Sequence, residues 1–268
     1  MEAAEMLKIT DLQKTFNPGT VNAKTALNGL NLELEDGDFV TVIGGNGAGK
    51  STLLNAIAGV WKPDYGAIEI DGVDVTRMPE YKRAKFLGRV FQDPMKGTSP
   101  DMEIAENLAI ASKRGEKRRF VRGVRRADRE KYREMLASLE LGLEDRLSTK
   151  VGLLSGGQRQ AITLLMATMN RPKLLLLDEH TAALDPKTAA KVLELTDQIV
   201  QKNHLTTLMI THNMRDAIAH GNRLIMMHEG QIIIDVSGKE KKNLTVEQLL
   251  SLFTQASGGI VNDRMVLS

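Results

Sequence analysis

Residues 44–51 read Gly44-Gly45-Asn46-Gly47-Ala48-Gly49-Lys50-Ser51, a glycine-rich loop that ends in a lysine and a hydroxyl residue. This spacing fits G-x-x-x-x-G-K-[ST], the pattern of a phosphate-binding loop. The backbone N–H groups of such a loop wrap a phosphate, and the helix that follows adds the partial positive charge of its N-terminus. Lys50 is expected to reach the β- and γ-phosphates of a nucleotide, and Ser51 to place its hydroxyl on Mg²⁺.

The residues on either side of the loop supply the context that the motif needs. Residues 39–43 predict a buried strand, and an apolar stripe over residues 53–58 predicts a helix that ends near Gly59. The alternative is a glycine-rich turn without a ligand, which this strand-loop-helix order disfavours. By itself the loop indicates a nucleoside triphosphate and nothing narrower.

The rest of the chain predicts a layered α/β core. Residues 174–178 (LLLLD) and 206–212 (TTLMITH) predict buried strands, with a helical pattern between them, so these two strands are expected to pair in parallel. Alternation over residues 7–43 predicts further strands with a turn at Asp36-Gly37, and residues 223–236 predict two strands joined at Glu229-Gly230. Residues 102–165 predict mostly helix.

Two acids and a histidine follow the predicted parallel strands. Ligands bind beyond the carboxyl ends of such strands, which places Asp178 and Glu179 at the crevice. Asp178 suits an outer-shell contact to Mg²⁺, and Glu179 can polarise the attacking water. His212 can hydrogen-bond a γ-phosphate. The alternatives are a strand that ends in solvated acids and an ordinary histidine, since spacing alone does not select His212 among five.

Composition narrows the class of protein. The 268 residues include no cysteine, which excludes disulfides, thiolate metal sites and a cysteine nucleophile and suits a reducing compartment. The formal charge of +2 argues against a surface that binds nucleic acid as a whole. No aliphatic run approaches the roughly 20 residues of a membrane span, and the first ten residues do not resemble a signal peptide.

The segment Leu154-Ser155-Gly156-Gly157-Gln158 carries the decisive resemblance. From the residues alone, Ser155 is expected to cap a helix that begins near Gln158. However, LSGGQ lies shortly before LLLLDE, and in this position it is similar to the signature of the ATP-binding cassette (ABC) transporter family. The other family motifs occur in order: the phosphate loop, Gln92 in VFQDP, LLLLDE, 183–186 (ALDP) and His212. The resemblance covers residues 7–236.

This resemblance implies an architecture. The fold class is α/β, with a P-loop NTPase (RecA-like) core, an N-terminal antiparallel β subdomain and an inserted helical subdomain. Residues 1–240 are expected to form a single ABC ATPase domain with the helical subdomain at about 94–165, and residues 241–268 a short C-terminal extension.

The resemblance also implies roles for individual residues. Phe16 matches the aromatic residue that stacks on adenine, and Gln92 the residue that links Mg²⁺ and water to the membrane-facing subdomain. Ser155 and Gly157 match groups that contact the γ-phosphate held by the other protomer, and Asp185 lies in a loop that crosses the dimer seam. The expected nucleotide contacts are Phe16, Gly44, Gly45, Asn46, Gly47, Ala48, Gly49, Lys50, Ser51, Thr52, Ser155, Gly156, Gly157, Gln158 and Asp185. The expected catalytic residues are Glu179, His212 and Gln92, and the expected Mg²⁺ ligands are Ser51, Gln92 and Asp178.

The implied function is ATP hydrolysis coupled to transport, with ATP and Mg²⁺ bound in a head-to-tail homodimer. The expected partners are separately encoded permease subunits and an extracytoplasmic substrate-binding protein, with no nucleic acid. The expected location is the cytoplasmic face of the cell membrane. DEHTAALDP with ITHNM looks like a subgroup of bacterial uptake cassettes, some of which are suspected of handling aromatic amino acids. A soluble ABC ATPase of iron–sulfur cluster assembly and a standalone export cassette remain alternatives.

Two features depart from the common family pattern or lie outside it. Gly45, His180 and Asn213 replace residues usual in relatives, namely two prolines and an aspartate, without removing a catalytic group. Residues 113–126 hold eight basic side chains against Glu116, which indicates either a solvated face or a contact with anionic lipid or a permease loop.

Overall fold

The computed structural model describes residues 5–116 and 123–256. Its strands are β1 (Glu5–Phe16), β2 (Lys24–Glu35), β3 (Phe39–Gly44), β4 (Tyr65–Ile70), β5 (Val73–Asp74), β6 (Leu87–Val90), β7 (Leu174–Asp178), β8 (Thr206–Ile210), β9 (Arg223–His228) and β10 (Gln231–Ser237). Its helices are α1 (Lys50–Ala58), α2 (Glu80–Arg83), α3 (Ile104–Ser112), α4 (Arg126–Ala137), α5 (Gly156–Thr168), α6 (Pro186–Asn203), α7 (Met214–Ala219), α8 (Gly238–Lys242) and α9 (Val246–Ala256), with 3₁₀ turns at Pro94–Gly97 and Val151–Leu153. Within the two described ranges, no helix has the length and apolar character that crossing a membrane requires.

The strands form two sheets. One is antiparallel, in the order β2-β1-β4-β5. The other has the order β10-β9-β3-β8-β7-β6, in which β9, β3, β8, β7 and β6 are parallel neighbours and β10 pairs antiparallel with β9. The parallel pairing of β7 with β8 and the turns at Asp36-Gly37 and Glu229-Gly230 confirm the sequence predictions.

Strand β7 shows how the core is divided. Leu174 and Leu176 pack with α1 and the antiparallel sheet, whereas Leu175 and Leu177 pack on the opposite face with α3, α4, α5 and α6. Because both faces of the sheet are covered, the strand reads as a continuous apolar run. Parallel strands that end together then bring their last residues to one edge, where the site lies.

The helical region agrees with the sequence predictions, and the structure adds its exact bounds. Helices α3, α4 and the first part of α5 make up more than half of the described residues in 102–165, as predicted, but α4 ends at Ala137 and the chain then turns through Glu140 (φ +55°) and Gly142 (φ +64°). Helix α5 begins at Gly156, two residues before Gln158, and the predicted cap at Ser155 is confirmed. Ser155 is its N-cap and forms a capping box with Gln158, so the first helical residue follows Ser155 directly.

The basic segment is only partly described, since residues 117–122 lie outside the described ranges. Arg114 does not belong to a solvated face. Its guanidinium donates to the carbonyl oxygens of Met166 (2.8 Å), Leu87 (3.2 Å) and Ala167 (3.3 Å), and burial lowers its pKa. Arg114 therefore ties the end of α3 to the end of α5.

Candidate active site

The glycine-rich loop has a backbone that only glycine adopts easily. Gly49, the residue before α1, has φ +101°, and a side chain there would collide with the carbonyl oxygen of Ala26. The Nζ atom of Lys50 donates to the carbonyl oxygens of Gly44 (2.6 Å) and Gly45 (3.2 Å). Burial lowers the pKa of Lys50, and Glu179 and Asp178 oppose that shift. The loop therefore holds a buried cation close to two carboxylates.

A cavity of about 300 Å³ lies over this loop. It is lined by Phe16, Lys24, Ala26, Asn46, Gly47, Ala48, Gly49, Lys50, Ser51, Thr52, Glu179 and His212. Residues of the antiparallel sheet and residues that follow strands at one edge of the six-stranded sheet thus meet around one cavity. Lys24 was not predicted, because a lysine at the start of a strand carries no motif.

The acid pair follows β7 at this edge. The carboxylate Oε1 of Glu179 lies 2.5 Å from Nε2 of His212, and the Glu179 side chain is 12% exposed. The backbone N–H of Glu179 donates to the carbonyl oxygen of Ile210, the last residue of β8. Glu179 itself has φ +48°, a left-handed conformation that is rare for glutamate. The structure therefore brings together the two residues that the sequence placed at neighbouring strand ends.

Asp178 has a cationic neighbour that the sequence did not indicate. Nη2 of Arg89, on β6, lies 3.8 Å from Oδ2 of Asp178 and donates to Oδ1 of Asn55 on α1 (2.7 Å). Burial raises the pKa of Asp178, and the Arg89 charge opposes that shift. Gln92 follows β6 at the same edge and is exposed; neither it nor Asp178 lines the cavity.

Phe16 carries an aromatic neighbour at the rim of the cavity. Its ring meets Trp61 edge to face with centroids 5.2 Å apart, and Nζ of Lys14 lies 5.7 Å from the Phe16 centroid. Trp61 is the single tryptophan of the chain. No motif connects Trp61 with Phe16, since 44 other residues separate them in the chain.

The LSGGQ segment lies elsewhere. None of residues 154–158 is among the described residues that line the cavity. Gly157 packs so closely on α6 that a side chain there would collide with the methyl group of Thr188, which gives this glycine a role within its own chain. Asp185 caps α6 by accepting from the backbone N–H of Thr188 at 3.1 Å. The structure thus places Ser155, Gly156, Gly157, Gln158 and Asp185 away from the phosphate loop of the same chain.

His180 lies on the other side of the turn that carries Glu179. Its side chain is buried, and its Nε2 atom lies 3.1 Å from Oγ1 of Thr196 on α6. Burial lowers the pKa of His180 to about 4. The imidazole is therefore neutral at physiological pH. The sequence marked His180 only as a departure from the common pattern, because its partner is set by packing.

A phosphate-binding loop, a paired acid edge and a separate LSGGQ helix define a nucleotide-hydrolysing cassette. The sequence profile described as ABC transporter matches residues 27–182, and the chain belongs to that family. It is 47% identical to the tyrosine transport ATP-binding protein of Clostridioides difficile (strain R20291), over 94% of this chain and all of that one. It is 34% identical to the xylose/arabinose import ATP-binding protein of Sulfolobus acidocaldarius, over 97% of this chain and 98% of that one.

Solved structures agree with this assignment. A dimeric ATP-binding cassette in a post-hydrolysis state bound to ADP and Pi superposes with a TM-score of 0.73 at 30% identity, covering 87% of this chain and 98% of that chain. An ABC transporter cassette in its ADP conformation gives a TM-score of 0.77 at 28% identity, covering 93% and 98%. The chain is accordingly an ATPase subunit of an ABC transporter, and it acts with membrane-spanning partner subunits.

Proposed function

We propose that this chain hydrolyses ATP to energise the uptake of an amino acid with an aromatic side chain. The observation that carries the catalytic part is the convergence of Lys50, Glu179 and His212 on one cavity. The substrate class rests on the similarity to the tyrosine transport protein along its full length. Uptake is favoured over export and over iron–sulfur cluster assembly because two relatives named above are a transport and an import protein.

The chemistry follows from where the side chains lie. Lys50 offsets the negative charge of the β- and γ-phosphates. Glu179 orients and polarises the attacking water, and His212, held 2.5 Å from Glu179, contacts the γ-phosphate. Phe16 stacks on the adenine. Positioning and charge stabilisation of this kind supply nearly all the catalysis in phosphoryl transfer.

A magnesium ion fits the remaining donors. The Ser51 hydroxyl, the Gln92 amide and the Asp178 carboxylate are an all-oxygen set, which hard cations prefer. Asp178 is 17% exposed, so a cation beside it would stabilise the ionised carboxylate. When bound with ATP, the ion neutralises charge that develops on the phosphate oxygens.

A head-to-tail homodimer accounts for the separation of LSGGQ from the cavity. Ser155 and Gly157 stand at the N-terminus of α5, where backbone N–H groups favour an anion. They do not line the cavity of their own chain, so they are free to grip the γ-phosphate of a partner. Asp185, at the start of α6, lies near the same seam. Each composite site therefore needs two chains.

The permease would dock on the surface between Gln92 and Glu106, on the helical subdomain at about 94–165. Met95 is 38% exposed there, and Leu153, 74% exposed, lies on the 3₁₀ turn that bonds to Pro100. Contiguous apolar patches on a monomer mark interaction sites, and these two side chains would contribute to such a patch. An extracytoplasmic binding protein would supply the solute, and the chain would sit on the cytoplasmic face of the membrane.

The test is uptake of labelled tyrosine by proteoliposomes that contain the purified permease, the binding protein and this chain. We expect ATP-dependent uptake with the wild-type chain and none with Glu179→Gln. ATP hydrolysis by the wild-type chain without uptake of tyrosine, phenylalanine or tryptophan would contradict the substrate class. Wild-type turnover by Glu179→Gln would contradict the catalytic assignment.

A further inference from the structure

Glu179 is held in a conformation that its own backbone disfavours. Its φ of +48° lies in the left-handed region, where a side chain crowds the following carbonyl. Such a conformation persists only where the surrounding structure enforces it. On the β8 side, the N–H of Glu179 is fixed by the carbonyl oxygen of Ile210 (3.1 Å). On the other side the chain runs directly into His180.

The hydrogen bond between His180 and Thr196 has a defined direction. The hydroxyl of Thr196 has one proton, and it donates that proton to the carbonyl oxygen of Val192 at 2.8 Å. At 3.1 Å from Nε2 of His180, Oγ1 of Thr196 must therefore accept. His180 consequently carries its proton on Nε2 and donates it to α6. Both side chains are buried, so water does not replace this bond.

Helix α6 is a fixed support for this bond. Asp185 caps its N-terminus, and Asp197, the residue after Thr196, accepts from Nδ1 of His220 at 2.7 Å. His220 follows α7, and α7 in turn follows His212. The helix is thus anchored near Thr196 from the histidine side of the site, while His180 anchors the turn that carries the acid.

We propose that His180, through its hydrogen bond to Thr196, is a positioning residue that holds Glu179 in its strained conformation against His212. This inference rests on the proposed function, in which Glu179 orients the attacking water. Without the anchor the turn at 179–182 relaxes toward an ordinary backbone conformation, and the carboxylate moves away from the water that it must polarise. ATP binding, which depends on the glycine-rich loop and Phe16, is unaffected.

The test compares steady-state ATP hydrolysis by two pairs of variants and a control. Thr196→Val and His180→Leu remove the bond, whereas Thr196→Ser and His180→Gln keep a hydroxyl acceptor or an N–H donor. Thr168→Val is the matched control, because Thr168 is also buried and also donates to a carbonyl oxygen four residues back (Leu164, 2.8 Å), but on α5 and without a histidine.

We expect Thr196→Val and His180→Leu to lower kcat about 10- to 100-fold, with the KM for ATP unchanged and the double variant no slower than either single one. Thr196→Ser and His180→Gln should recover most of the wild-type kcat. Thr168→Val should lower the melting temperature and leave kcat intact. If His180→Leu does not fold, the comparison of kcat between Thr196→Val and Thr196→Ser decides whether the hydrogen bond positions Glu179.

A kcat for Thr196→Val that matches Thr168→Val would overturn the inference, as would a loss that Thr196→Ser shares. The proposed function is tested separately by Glu179→Gln. An inactive Glu179→Gln with a fully active Thr196→Val would reject the positioning role of His180 and leave the role of Glu179 standing.

Discussion

At the scale of single residues, burial and neighbouring charges shift the pKa values of several groups in the site. Lys50 is 5% exposed and donates to the loop carbonyls of Gly44 and Gly45, with two carboxylates nearby. The glycine-rich motif predicted Lys50, the end of the apolar strand predicted Glu179, and the family resemblance selected His212. None of these signals could predict Arg89 beside Asp178 or Thr196 beside His180, since those partners meet only through tertiary packing.

Lys50→Ala should abolish hydrolysis and weaken ATP binding, because it removes the main cation that faces the β- and γ-phosphates. Trp61 provides the readout, since this single tryptophan touches Phe16, the predicted adenine platform. In the wild-type chain ATP should change Trp61 fluorescence, and with Lys50→Ala the change should need far higher ATP. Phe16→Leu serves as the control for the signal. Wild-type titration and turnover by Lys50→Ala would refute the assignment.

Acid should destabilise the chain partly through His180. Its pKa is about 4 when folded and 6.5 when free, so the unfolded chain binds the extra proton first as the pH falls. The neutral folded form is fully favoured above pH 6.5, and stability is lost between 6.5 and 4. From about pH 7.5 to about pH 5 the contribution is about 2 kcal/mol. Urea unfolding of wild type and His180→Gln at both pH values should show a smaller loss for the variant; parallel losses would refute it.

At the scale of elements, the sequence predicted strands and helices correctly where burial gives the apolar residues a regular spacing. The runs that became β3, β7 and β8 are apolar because both sheet faces are covered, and the stripe of α1 faces the core. Residues 138–155 lack such a regular spacing, although they lie in the segment predicted to be mostly helical. Leu143 and Leu147 are buried there outside any helix, and Val151 only begins a short 3₁₀ turn, so apolar content alone suggested a longer helix. Left-handed residues such as Glu140 carry no clear signal in sequence.

The proposed docking surface predicts that transport and hydrolysis can be separated. Met95→Glu should abolish ATP-dependent uptake in proteoliposomes, because a charge would be buried against the permease, while basal hydrolysis by the isolated chain stays near wild type. Val73→Glu is the matched control, since Val73 is 39% exposed and lies on β5, outside this surface. Equal loss of uptake and of basal hydrolysis with Met95→Glu would instead mean that Met95 is needed for folding or for the nucleotide site.

At the scale of the whole molecule, the central claim is that one chain holds two incomplete halves of a site. The cavity lies over the glycine-rich loop at the edge of the six-stranded sheet, and LSGGQ (residues 154–158) lies at the N-terminus of helix α5. Because each γ-phosphate would be gripped by both chains, ATP should hold the dimer together until hydrolysis releases it. A related cassette forms a dimer in two solved structures.

The most direct test measures mass by size-exclusion chromatography with light scattering. Glu179→Gln keeps the shape of the side chain and loses the charge that polarises water, so it should bind ATP and Mg²⁺ without turnover and run as a dimer. The same variant with ADP should run as a monomer, and so should Glu179→Gln with Ser155→Arg in ATP, because the arginine obstructs the seam. A Glu179→Gln chain that stays monomeric while Trp61 fluorescence reports bound ATP would contradict the shared site.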